Sequence, residues 1–235
     1  HGEMLGQQGA RGKLVPWEES IRVPTLIYHP DLKKQQKCES IISNIDLVPT
    51  ILEFSGLDKD TINTNYPELK GTSFANMVEN VDHKNNRDNE GHLIHGVQII
   101  PTVFNVAEKF RHIGLADSLI DKFKAFATKG NFLPDFSPPL NYKGVVDKRY
   151  KFIRYFSPRE NNIPNTFAEL SNNNASFQLY DLLNDPYEMH DISKTENNKG
   201  LLMSMNDKLN KLTDKEIGLE NHILHLPGPD WFWTT

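Results

Sequence analysis

The sequence predicts a mixed α/β fold, and three observations carry the prediction. Short apolar runs bounded by Pro, Gly and Asn recur at residues 23–28, 97–103, 144–156 and 177–182, which is strand chemistry. Leu201, Met205, Leu209 and Leu212 recur at helical spacing with polar residues opposite. Residues 43–56 carry both a helix-start and a helix-stop signal. The 235-residue chain has room for one large domain or two small ones.

In chain order, residues 1–12 hold four glycines and few large apolar side chains, and read as a loop. Pro16 restricts any helix in 13–22 to a start there. Residues 23–28 predict a buried strand with Pro24 near its beginning and Pro30 closing it. In 43–56, Asp46 is placed to N-cap a helix and Pro49 falls in its first turn, where a missing N–H costs nothing. Leu47, Ile51 and Phe54 make its apolar face, with Val48 and Leu52 alongside and Gly56 as the stop. Residues 70–73 read as a turn before a short helix at 74–78, and 80–91 as an exposed polar loop.

Residues 97–103 predict a strand, and 107–128 has helical spacing at Leu119, Ile120, Phe123 and Phe126. Residues 131–142 hold three prolines and mark a boundary between units at 1–135 and 136–235. Residues 144–156 read as two strands, or a strand with a turn at Asp147-Lys148. Val146, Tyr150, Phe152 and Arg154 fall on one side, Ile153 and Tyr155 on the other. Residues 161–174 are Asn-rich and loop-like, Asn184-Asp185-Pro186 is a turn, and 226–233 is a non-helical tail whose Trp231 and Trp233 suit packing on a partner.

Composition excludes several classes. With 26 basic and 31 acidic residues the net charge is -5, which argues against a nucleic-acid footprint over the whole chain. A lone cysteine, Cys38, excludes an intrachain disulfide and a Cys-rich zinc site, and its charged neighbours Lys37 and Glu39 mark it as an exposed spare thiol. No run of about 18 apolar residues predicts a membrane span. The chain opens on His1 with neither an initiator Met nor a signal peptide, and reads as a fragment or processed form.

Candidate chemistry is sparse. His92 and His95 have the i, i+3 spacing of a shared zinc, yet Gly91 and Gly96 flank them and a solvated loop is the better reading. Gly-x-Ser-x-Gly, P-loop and Rossmann glycine patterns do not occur. The opening segment remains: a glycine-rich loop, Lys13, and an apolar run after Trp17-Glu18. Backbone N–H groups and an ammonium of this kind can build an anion site.

That segment resembles the sulfatase family of the alkaline-phosphatase superfamily. His1-Gly2, Gly12-Lys13, Trp17-Glu18 and Ile21-Arg22-Val23-Pro24 match the family pattern in order and spacing. Residues 45–52, 148–158 and 179–188 resemble the family's capped helix, its C-terminal subdomain strand and the strand and turn that follow. The resemblance covers the C-terminal half of such an enzyme. It implies the end of an alkaline-phosphatase-like α/β sandwich, then a small antiparallel sheet with the 201–212 helix.

It also implies roles. His1 matches the second residue of an Asp-His/Asn pair that binds a divalent cation, calcium or else magnesium or manganese. Lys13 matches the lysine that binds the sulfate and its ester oxygen, and so is both the catalytic and the substrate-binding candidate. Glu18, Arg22 and Asp46 read as structural, with Glu18 and Arg22 paired at i, i+4 or Arg22 anchoring the strand. Tyr150, Phe152 and Tyr155 read as packing residues, and Asp181 and Asp185 as turn residues. The family's formylglycine arises from Cys/Ser-x-Pro/Ala-x-Arg, which does not occur here; Cys38 is followed by Glu39-Ser40-Ile41-Ile42. The nucleophile and most cation ligands would therefore lie in an N-terminal half, and this chain alone would be inactive. Expected partners are a sulfate ester, with no nucleic acid and no membrane; the resemblance implies a periplasmic, secreted or lysosomal setting. The alternatives are a phosphonate or phosphate-ester hydrolase of the same superfamily, and a non-catalytic binding fragment.

Overall fold

The computed structural model describes residues 1–97, 141–156, 164, 166–171 and 176–218, apart from 11, 14, 31, 33, 34, 82, 84 and 86. The expected strand tail at 98–103, the 107–128 helix, most of the 131–142 connector and the 226–233 tail lie outside these residues.

The described residues of 1–91 form helices and turns: α1 (Glu18–Ile21), α2 (Leu47–Phe54), α3 (Lys59–Asn65), α4 (Ala75–Glu79) and α5 (Arg87–Glu90). Helix α2 starts and stops where the sequence predicts. Gly56, at φ +95°, takes the left-handed conformation after its end, and the Leu57 N–H closes on Leu52 O at 3.2 Å. Its exposure is inverted, however. Pro49 and Thr50 are buried, while Leu47, Val48 and Ile51 are exposed, Ile51 at 61 %. Thr50 Oγ1 donates to Asp46 O at 2.6 Å and accepts from the Phe74 N–H at 3.0 Å, which satisfies the polar side.

Residues 23–28 are a correction. They make no strand pairing in the described structure, and Leu26 stands 98 % exposed with Val23 and Tyr28 also exposed. A strand needs a neighbour for its N–H and C=O groups, and the described residues offer this run none. Residues 80–91 are a second correction, because α5 lies within them and Asn85 and Arg87 are buried.

The sheet takes β1 (His92–Val97), β2 (Asn141–Val146), β3 (Tyr150–Phe156) and β4 (Ser176–Asp181) in the order β1-β2-β3-β4, with each neighbouring pair antiparallel. His92 and His95 are therefore on a strand, not a loop. The expected division at 135/136 falls between β1 and β2, and the sheet takes strands from both sides of it.

Asp147 N donates to Tyr150 O at 2.9 Å, making the turn that the sequence placed at Asp147-Lys148. That reversal sets Val146 opposite Lys151, so Val146 packs with Ile153 rather than with Phe152. Two more helices, α6 (Phe167–Leu170) and α7 (Lys199–Glu216), follow. One sheet face packs Val145, Phe152 and Leu179 against Leu202, Met205, Leu209 and Leu212 of α7. Each such side chain stabilises by roughly 1.5–3 kcal/mol on full burial. The same face buries Arg154, whose Nη1 donates to Asn206 Oδ1 at 2.7 Å and Asn210 Oδ1 at 2.9 Å on α7. The other face carries Ile94, Tyr142, Val146, Ile153 and Tyr180, with Ile21 of the opening segment packed on it.

Candidate functional site

The opening segment folds back on itself. Gly2 N donates to Ser20 O at 2.8 Å and Met4 N to Gly12 O at 2.7 Å, with the Met4 side chain fully buried. Gly2 is required by this approach, since a Cβ there would lie 2.0 Å from Glu19 O. The first bond holds the residue after His1 against α1, and the second holds Met4 against the residue before Lys13. Both candidate residues, His1 and Lys13, are exposed on this one segment.

What holds the segment to the sheet is a buried charge cluster. Lys151 Nζ, fully buried on β3, lies 2.7 Å from Glu18 Oε1, 2.6 Å from Glu188 Oε1 and 3.1 Å from Pro16 O. The second carboxylate oxygen of Glu188 accepts from the Glu18 N–H at 2.7 Å, serving the first turn of α1. Burial pushes the Glu188 carboxyl above its ordinary pKa, against the pull of Lys151. The expected Glu18–Arg22 contact exists at 4.0 Å, but Arg22 is 79 % exposed and Lys151 is the nearer partner of Glu18.

A second cluster ties α2 to α5 and α7. Arg87 Nε and Nη2 donate to the two carboxylate oxygens of Asp46, the latter at 2.7 Å, and Nη1 donates to Glu216 Oε1 at 2.8 Å. Asp46 also accepts from the Ser43 N–H and the Thr72 N–H, each at 2.8 Å. The structural reading of Asp46 holds, but its side chain serves Arg87 and two loops rather than the first turn of α2. Burial opposes the Arg87 charge, and the bonds to Asp46 and then Glu216 outweigh it, so its pKa is raised.

His92 is desolvated next to both clusters. Burial lowers its pKa to about 4, with Glu18 opposing and Arg87 and Lys151 adding to the shift. His95 is exposed as a residue, yet partial desolvation of its ring and then Lys143, its cross-strand neighbour, lower its pKa. Among the described residues no three His, Cys, Asp or Glu side chains gather as a metal site. Cys38 is exposed and free, as expected. Asp181 accepts from Arg149 at 2.8 Å and from Asn184 at 2.9 Å in the turn after β4.

Sequence reasoning missed Lys151, Glu188, Arg87 and Glu216. Lys151 had a signal: it shares strand parity with Ile153, so a charge was due to point into an apolar face. Arg87 had none, because its partners are 41 and 129 residues away.

Comparison with known proteins agrees with the resemblance. Residues 6–107 match the profile of the family described as N-sulphoglucosamine sulphohydrolase, C-terminal. An ulvan-active sulfatase of Formosa agariphila is 33 % identical over 93 residues, which is 37 % of this chain and 17 % of that protein. An extracellular sulfatase homologue of Drosophila melanogaster is 41 % identical over 58 residues, 24 % of this chain and 5 % of that protein. A protein solved in complex with its substrate D-glucosamine-2-N,6-O-disulfate superposes with a TM-score of 0.59 at 17 % identity, over 94 % of this chain and 34 % of its own. The chain thus spans about a third of that protein, and its alignments cover smaller shares of the curated relatives. It is similar to the C-terminal part of sulfatases in sequence, and its fold is alkaline-phosphatase-like, with the antiparallel sheet of β1–β4. No helix among the described residues is long and apolar enough to cross a membrane.

Proposed function

We propose that this chain is the C-terminal portion of a sulfuric ester hydrolase in which Lys13 binds the sulfate and the departing ester oxygen. The observation that carries the reading is that the folded glycine loop presents Lys13 to solvent within the stretch matching the sulfatase profile. Negative charge grows on the sulfate and ester oxygens as the S–O bond breaks, so an ammonium held there binds the transition state more tightly than the ester. The glycine loop adds backbone N–H dipoles, and the compact charge of lysine suits a tetrahedral oxyanion.

Among the described residues no three His, Cys, Asp or Glu side chains gather to hold a cation. Calcium takes six to eight oxygen ligands, whereas His1 would bring a single imidazole and no carboxylate cluster accompanies it. The cation and the formylglycine nucleophile belong, in this reading, to an N-terminal half. A substrate carrying sulfated sugar and an extracellular setting are the extensions that the relatives support.

The gene sequence upstream of His1 is the first test. A Cys/Ser-x-Pro/Ala-x-Arg motif there is expected, and a reading frame without one overturns the enzyme reading. In the enzyme containing that half, Lys13→Ala is expected to lower kcat/KM on an aryl sulfate by about a hundred- to a thousand-fold, the loss typical of one oxyanion contact. Lys13→Arg should rescue only in part, because a planar fork replaces a point charge. A near-wild-type alanine variant that melts normally removes Lys13 from the site.

A further inference from the structure

Among the described residues nothing ties Lys13 itself to the sheet, but the chain on either side of it is tied to β3 or to the turn that follows β4. On the N-terminal side, Gln8 Nε2 donates to Tyr187 O at 3.1 Å and to Glu188 O at 3.3 Å. On the C-terminal side, Pro16 O and the Glu18 carboxylate face Lys151, and the Glu18 N–H meets Glu188. Gln8 on one side of Lys13, and Pro16 and Glu18 on the other, are thus pinned to the turn after β4 and to Lys151 of β3.

The chemistry at the pin is specific. A fully buried ammonium is tolerated only with oxygens around it, and two of the three that face Lys151 come from the opening segment. Glu188 holds φ at +55°, an uncommon conformation for a residue with a side chain, while its carboxylate spans Lys151 and the α1 N–H. Replacing this arrangement by apolar packing would preserve burial but would not dictate where Gln8, Pro16 and Glu18 lie.

We infer that Lys151 and Glu188 are positioning residues for Lys13: together with Gln8 they fix the chain on either side of it, and so limit where its ammonium can reach. The inference rests on the sulfatase reading for the purpose of that placement, but its test does not use turnover. Amide hydrogen exchange is measured on the full 235-residue chain as wild type, Glu188→Gln, Gln8→Ala and Leu209→Ala. Gly2 and Met4 report on the opening segment, and the β2 and β3 amides report on the sheet.

Glu188→Gln is expected to speed exchange at Gly2 and Met4 by about tenfold relative to the sheet, as local opening separates from global unfolding. Gln8→Ala is expected to give a smaller shift of the same kind, about threefold. Leu209→Ala weakens the opposite face and is expected to move both sets together. An unchanged ratio in Glu188→Gln, or the same ratio change in Leu209→Ala, overturns the inference. Should Glu188→Gln fail to fold, the half-buried Gln8→Ala decides, and no shift there overturns it. Loss of the sulfatase reading alone would leave the exchange result standing, so the two failures are distinguishable.

Discussion

His92 stands beside buried charges of both signs, Glu18 against Lys151 and Arg87, and its own charge is the one burial excludes. Unfolded, the imidazole titrates near 6.5; folded, near 4. Between these values the unfolded chain binds the extra proton, so stability falls as pH drops from about 6.5 to 4, by roughly 2–3 kcal/mol. Glu188 and Glu216, whose pKa values burial raises, act in the opposite sense. The clean measurement is therefore the stability difference between wild type and His92→Gln against pH. It should shrink or reverse on acidification, and a pH-independent difference would show that the imidazole is not desolvated. Arg87 lends itself to a simpler test. Arg87→Met strands the Asp46 and Glu216 carboxylates in the interior, and chemical denaturation should show a loss of about 3–5 kcal/mol.

At the level of elements, α7 and α2 behave oppositely. Leu209 of α7 is fully buried against Phe152 and Leu179, and Leu209→Ala should cost about 3 kcal/mol by lost transfer energy plus the cavity. Ile51 of α2 is hydrophobic but faces outward, so Ile51→Lys should leave the chain's stability within about 0.5 kcal/mol. Together with Val23, Leu26, Tyr28, Leu47 and Val48 it leaves apolar side chains exposed on α2 and the 23–28 run, the surface character that marks interaction sites. A large loss of stability in Ile51→Lys, read from a thermal melt, would mean that this face is covered within the chain itself.

For the whole molecule, residues 1–235 alone should not hydrolyse aryl sulfates, because the nucleophile's motif is absent, and titration calorimetry should show no micromolar calcium binding. Turnover above a Lys13→Ala control, or tight calcium binding, would relocate the chemistry into this chain. Much of the architecture was written locally. Gly56 ends α2, Asp147-Lys148 turns β2 into β3, and the 201–212 stripe becomes the buried side of α7, each because backbone geometry or side-chain period acts within a few residues. The glycine-rich opening was legible for the same reason, since Gly6, Gly9 and Gly12 all take the left-handed backbone that its turns need, whereas Lys13 was singled out by the family resemblance alone. The run at 23–28 was misread because a short apolar run between prolines reports a segment without its neighbour, and a strand exists only when another supplies its hydrogen bonds. His92 and Arg87 were misread as loop because polarity along the chain does not show which polar groups meet. The Asp46–Arg87–Glu216 and Glu18–Lys151–Glu188 clusters join residues far apart in sequence, and a buried charge becomes tolerable only once folding brings its counter-charge within contact.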